Sequence, residues 1–404
     1  MSTSSWTDCC PEQGDESYSE RSTERRQVFE DAASRLDTGV PPSIWAFLQV
    51  ADLDQVKQIT HSKFSWNTMK EGQWLVYSRK VKDALLLWKQ RPEDKEMDDT
   101  APAPKRTHSR AFSTSTLSQS QSNRSQIPAS KTRTRSGRPL GAPEGSVRRD
   151  VMIAKHSKER DGNLCVISRI GAAQACYIYP WCAFGAQSSD RVANFWKVLE
   201  MFWPEDKVDA WRAKIFHKNG MPYGTETVEN MITFTATLHN FHTEGAFALR
   251  PIRITADKTQ LELEFHWLKR QVRDSKKPVD LLDLPMSSRD LLTSEHGQCF
   301  CYMDNGAPTQ LVSGQKFTMK TDDPVRMPLP DPGLLELQWH LQRIMAMSGA
   351  AGWKEDDFGG DDDDDDSDPA EDFVQRWIDE THEFRQDWSP SKDGSVGNGD
   401  GAYD

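Results

Sequence analysis

Apolar positions gather in separated blocks along the 404-residue chain, and their spacing within each block predicts the elements. Between Pro42 and Trp88, Ile44, Phe47 and Leu48, then Leu53, Val56 and Ile59, then the run from Trp74 to Leu87 recur at helical spacing around short polar breaks. They predict a small helical unit over 38–92. Val192, Phe195, Trp196, Leu199, Phe202 and Trp203 form one apolar stripe, and Pro204 suits the first turn of a next helix carrying Val208, Trp211 and Ile215. A further helix opens at Asp331-Pro-Gly-Leu, sets Leu334, Leu337, Leu341, Ile344 and Met345 on one face, and ends near Gly349.

Strand patterns lie between these helices. Cys165 to Ser168 and Cys176 to Pro180, joined through Gly171, read as a β-hairpin stopped by Pro180. Ile232 and Phe234 mark a buried edge, followed by a short helix near Thr237 and a strand from Phe247 to Ile252 beyond the Gly245 turn. Gln260 to Trp267 alternates as a strand, Pro278 to Leu292 reads as connection, and residues 310–320 suggest a hairpin around Gly314. The class is α+β, with the main domain over 151–351.

Composition limits how much of the chain folds. With 28% charged residues, 36% hydrophobic residues and a mean hydropathy of −0.73, the folded part is shorter than the chain. The 14 tryptophans fall mostly in the periodic segments, where each can bury a large area. Residues 1–37, rich in Ser, Glu, Arg and Asp, read as disordered. Residues 93–150 form a basic low-complexity linker whose Arg and Lys residues suit phosphate contact, a nuclear address or simple tethering. Residues 352–404 open on the acid run Asp361 to Asp366, then carry an amphipathic helix with Phe373, Trp377, Ile378, Phe384 and Trp388, which docks back or binds a protein partner.

No run approaches the ~20 apolar residues that span a bilayer, and the N-terminus lacks the basic start and apolar core of a secretory signal. The expectation is an intracellular protein, nuclear or cytoplasmic, with no membrane partner. Seven cysteines (Cys9, Cys10, Cys165, Cys176, Cys182, Cys299 and Cys301) show no CxxC pairing, so neither a disulfide scaffold nor a zinc finger is indicated. Net charge of −12 argues against indiscriminate DNA affinity for the whole chain. The chemistry that stands out is an Asn, an apolar strand and a His in order: Asn230, then Ile232 to Phe234, then His239.

Several blocks carry a family likeness. RDGNLCVIS from Arg160, the turn Ile178 to Pro180, NFWKVLEMFWPEDKVDAWRAKIF from Asn194, GTETVENMITFTATLHNFHTEGAFALRPI from Gly224, FHWL from Phe265 and the segment from Thr321 run in the order of the HNH nuclease domain of filamentous-fungal proteins, a branch of the ββα-metal nucleases. Residues 151–351 resemble that domain. The resemblance implies a ββα-metal core with a helical insertion, a divalent metal (Mg or Zn), nucleic acid as substrate, Asn230 as the orienting residue and His239 as a metal ligand.

The likeness departs at two positions. The general base of the family, a His, falls at Tyr177, and a phenol of pKa ~10 is a poor base where an imidazole near ~6.5 is suited. An acid one helical turn after the metal His is missing from His239-Asn-Phe-His-Thr243, where His242 is a substitute ligand and Cys176 or Cys182 an alternative metal donor. Two readings follow: an HNH endonuclease-like protein that acts on or binds nucleic acid with degraded phosphodiester hydrolysis, or a non-catalytic scaffold that recruits partners through its basic linker and acidic aromatic tail.

Overall fold

The computed structural model describes residues 5–9, 21–36, 39–61, 71–89, 151–180, 189–216, 225–275, 277–294, 297–304 and 306–350. The expected linker at 93–150 and the expected acidic tail and helix at 352–404 lie wholly outside them. In chain order the elements are β1 (Trp6–Asp8), α1 (Thr23–Ala33), α2 (Pro42–Val50), α3 (Leu53–His61), α4 (Glu71–Trp88), α5 (Val151–Arg160), β2 (Gln174–Tyr177), α6 (Ser189–Phe202), α7 (Glu205–Arg212), β3 (Met231–Phe234), α8 (Ala236–Thr243), β4 (Phe247–Thr255), β5 (Gln260–Trp267), β6 (Cys301–Asp304), β7 (Ala307–Gln310), β8 (Gln315–Lys320) and α9 (Pro332–Ser348). The class is α+β with antiparallel sheets.

The main sheet has strand order β1-β4-β5-β8. Its centre is the β4–β5 pair, in which Phe247 faces Trp267 and Leu249 faces Phe265, until the register shifts between Pro251 and Arg253. Proline has no N–H to give the ladder, so a break beside it is the expected accommodation. One face of this pair carries Phe247, Phe265 and Trp267 against Phe234 and Phe241, with ring centroids 5.6 Å apart for Phe234–Phe247 and 5.9 Å for Phe241–Trp267. The other face puts His266 against Trp339 of α9, 5.0 Å between rings.

α9 begins and ends as its sequence predicts. Asp331 caps it, accepting from the N–H groups of Gly333 (2.8 Å) and Leu334 (3.2 Å), Pro332 occupies the first turn, and Gly349 stops it at φ 82°. The helices of 42–88 share this core. Phe47 of α2 lies 4.6 Å from Phe202 of α6, and Trp88 of α4 stacks on Phe195 at 6.2 Å and meets Tyr179 edge-on at 5.8 Å. The described residues of 1–90 and 147–404 accordingly belong to one compact unit.

Three local expectations differ from the structure. Within the stretch expected to be disordered, residues 23–33 form α1, whose Arg25 is 1% exposed and donates to the carbonyls of Leu48 (2.8 Å) and Ala51 (2.6 Å). Those are the orphan acceptors at the end of α2, where the helix dipole also favours a cation. Cys165 to Ser168 forms turns instead of a strand, and β2 pairs with β3, Gln174 opposite Phe234 and Tyr177 opposite Met231. Gly314, at φ 87°, leads into β8, which pairs with β5, while the local hairpin is β6–β7 around Gly306.

Candidate functional site

The two-stranded β2–β3 sheet followed by α8 holds the residues singled out from the sequence. The chain reaches β3 only after α6 and α7, so the strand partners are separated by a helical segment. Beyond their ladder, Asn230, fully buried just before β3, fastens the segment that follows β2. Its Oδ1 accepts from the Tyr179 N–H at 2.7 Å, and its Nδ2 donates to the carbonyls of Tyr179 and Thr225, each at 3.1 Å. The Asn230 carbonyl also accepts from the Ile178 N–H at 2.9 Å. A carboxamide carries a donor and an acceptor at peptide-like spacing, so it pairs with a peptide unit as a strand would. The consequence is a fixed path for the chain after β2.

An ion pair holds the entrance to β3. Arg160, at the end of α5, contacts Asp161 at 2.7 and 2.9 Å, and both side chains are buried. The remaining guanidinium donors reach the carbonyls of Val228 (3.0 Å), Met231 (2.9 Å) and Pro328 (3.0 Å), while Asp161 accepts from the Thr233 hydroxyl at 2.6 Å. Charge-assisted bonds of this kind are costly to break inside a protein, because each lost partner leaves a buried charge. Arg160 and Asp161 head the RDGNLCVIS block, yet nothing local in that block signals contact with carbonyls some seventy residues away.

Tyr177 is half-buried at the end of β2, and its hydroxyl donates to Glu226 Oε1 at 2.6 Å. Glu226 is a site neighbour that sequence reasoning missed; it lies 49 positions from Tyr177 with no periodic pattern to connect them. His239 sits half-buried on α8 with Nδ1 2.8 Å from Gln174 Oε1. An amide oxygen only accepts, so Nδ1 carries the proton and Nε2 holds the lone pair in the neutral ring.

His242 lies on the same helix in a different environment. Its ring sits 5.5 Å from Phe234 and 5.6 Å from Phe247, with Gln338 of α9 at 3.4 Å from Nε2. Burial, helped by the neighbouring His239 charge, lowers its pKa to about 3. It is a neutral ring packed in the core. Cys176, beside Tyr177, is also buried, its Sγ donating to the Gln174 carbonyl at 3.5 Å, and burial pushes its thiol pKa well up. Cys182 lies outside the described residues.

These donors bear on the metal expected beside His239. A catalytic zinc takes three protein ligands, each deprotonated or neutral with an available lone pair, whereas magnesium is held by one or two carboxylates with waters and substrate phosphates. Among the described residues no three His, Cys, Asp or Glu side chains are arranged to hold a metal ion. Among the described residues, His239 meets the Gln174 carboxamide, the Cys176 thiol is held protonated by burial, and His242 is turned into the core. Among the described residues no helix is long and apolar enough to cross a membrane. Comparison of the chain with protein-family models, with curated proteins and with solved structures found no match.

Proposed function

We propose that this protein is an HNH endonuclease-like scaffold that binds nucleic acid and has lost efficient phosphodiester hydrolysis. The observation that carries the reading is the Asn230 clasp: a buried Asn ties the loop after β2 to the start of β3, directly ahead of a helix bearing His239. An order of strand, insertion, strand and helix, with an Asn in that place, is what the family resemblance calls for. Two features support loss of chemistry. The residue at the general-base position is Tyr177, whose proton is directed at the Glu226 carboxylate, and among the described residues no three His, Cys, Asp or Glu side chains are arranged to hold a metal ion. General-base assistance alone contributes ~10² to 10⁴ in rate.

Binding remains available to such a scaffold, because phosphate contact needs cations and backbone donors and no reactive group. The basic sequence from Lys105 to Arg149 supplies ten cations against two nearby acids, Glu144 and Asp150. Fluorescence anisotropy of a labelled duplex with the full chain tests the reading. Affinity should fall steeply from low to physiological salt and be unchanged by EDTA. Absence of binding at low salt removes the proposal, and binding abolished by EDTA removes its metal-independent part.

A further inference from the structure

The β6–β7 hairpin carries a chemistry that the Asn230 region does not use. From Cys299 to Met303 the side chains alternate. Phe300 packs against the core and Tyr302 is buried, its hydroxyl accepting from Gln315. Cys299, Cys301 and Met303 are exposed, Met303 by 60%. The ladder enforces this alternation: Cys301 lies opposite Gln310, Met303 opposite Pro308, and the Leu311 N–H donates to the Phe300 carbonyl at 2.8 Å, carrying the extended pairing one residue further back. Cys301 and Met303 therefore share one face of β6, and Cys299, just before the strand, continues the exposed alternation at the same two-residue step, successive Cα atoms about 6.6–6.8 Å apart in an extended chain.

Packing does not account for that row. Unpaired cysteine is among the most buried residue types, and methionine ordinarily fills core gaps. Here all three point to solvent, and the side chains opposite, Pro308 and Gln310, bring no cation to compete for the site. We propose that Cys299, Cys301 and Met303 form a binding site for a soft monovalent cation, Cu(I), held by two thiolates and a thioether.

Spacing and donor type select that ligand. A disulfide between residues two apart on a strand lies at the upper limit of its usual Cα separation, because one S–S bond spans only about 2.05 Å. A metal replaces that bond with two metal–sulfur bonds of about 2.3 Å, which suits the wider spacing. Zinc favours four charged or imidazole donors in a tetrahedron, and no third His, Cys, Asp or Glu joins the two thiols among the described residues. A neutral thioether as third donor turns the preference to Cu(I). On coordination each thiol releases its proton to solvent as its sulfur binds, so affinity rises with pH.

The test uses the full chain, Cu(I) alone and bicinchoninate as a coloured competitor under anaerobic, reducing conditions. The wild type should hold one equivalent of Cu(I) that the double variant Cys299→Ser/Cys301→Ser lacks and that Cys9→Ser/Cys10→Ser keeps. Met303→Leu should retain the equivalent but weaken it by at least the roughly tenfold that losing even an outer partner of a metal site costs. Because all three side chains are exposed, the thermal midpoint of each apo variant should match wild type. Full retention of that equivalent in the double serine variant overturns the site, an unchanged affinity in Met303→Leu overturns the thioether, and tighter Zn(II) than Cu(I) at these residues overturns the ligand class.

Discussion

Asn230→Ala removes a buried side chain that joins the segment after β2 to the start of β3. Three buried backbone groups lose their partner: the Tyr179 N–H, the Tyr179 carbonyl and the Thr225 carbonyl. Each stranded buried group costs about 1–3 kcal/mol, carbonyls at the lower end because a second lone pair remains, so the expected loss is about 3–5 kcal/mol. For a unit of this size that corresponds to a fall of about 6–20 °C in the melting midpoint. Urea unfolding followed by tryptophan fluorescence measures it, with an unchanged slope showing that the native surface is otherwise intact. Asn230→Asp should give no rescue, since it sets a carboxylate oxygen against two carbonyls. A loss below ~1 kcal/mol in both variants would refute the reasoning, and would mean that water or a local shift satisfies those groups without Asn230.

Further outcomes follow from the same contacts. Arg25→Met should destabilise by about 2–4 kcal/mol in urea unfolding, since two carbonyls at the end of α2 lose charge-assisted donors. Trp88→Ala should cost about 3–5 kcal/mol, and a 151–351 fragment should unfold without cooperativity, because Tyr179 and Phe195 pack on Trp88. Stability should fall with acid. His242 and His340 have folded pKa values lowered to about 3 and about 4, so the unfolded chain takes up their protons first; their full contribution is present above ~6.5 and is lost progressively toward those values. Glu336, lowered to about 2, adds a loss of the same sign below ~4.5. In His242→Leu the slope of stability between pH 6 and 4 should become shallower, as read by urea midpoints across that range.

The parts of the fold that were legible are those whose signal is local. α9 declares itself through its Asp331 cap, its Leu stripe and Gly349, and β5 through the alternation of Leu261, Leu263, Phe265 and Trp267. Pairing is not local: β2 finds β3 across α6 and α7, so the nearer run at Cys165 to Ser168 looked the better partner. α1 was hidden because Arg25, which composition counts as solvated, is buried on the carbonyls of α2. In the candidate site, Asn230 and His239 stand out by their order around an apolar strand, and Tyr177 by the family likeness. Their partners Glu226 and Gln174, and the turning of His242 into the core, depend on contacts that no spacing in the sequence encodes.

Loss of chemistry with retention of binding is tested most directly by incubating supercoiled plasmid with the full chain at low salt, with Mg²⁺, Mn²⁺, Zn²⁺ or EDTA, and reading retardation and nicking on one gel. The expected result is retardation in every lane, EDTA included, with nicking no greater than the plasmid shows alone. Nicking that needs a divalent metal and stops in His239→Ala would contradict it, and would place a working metal centre at α8.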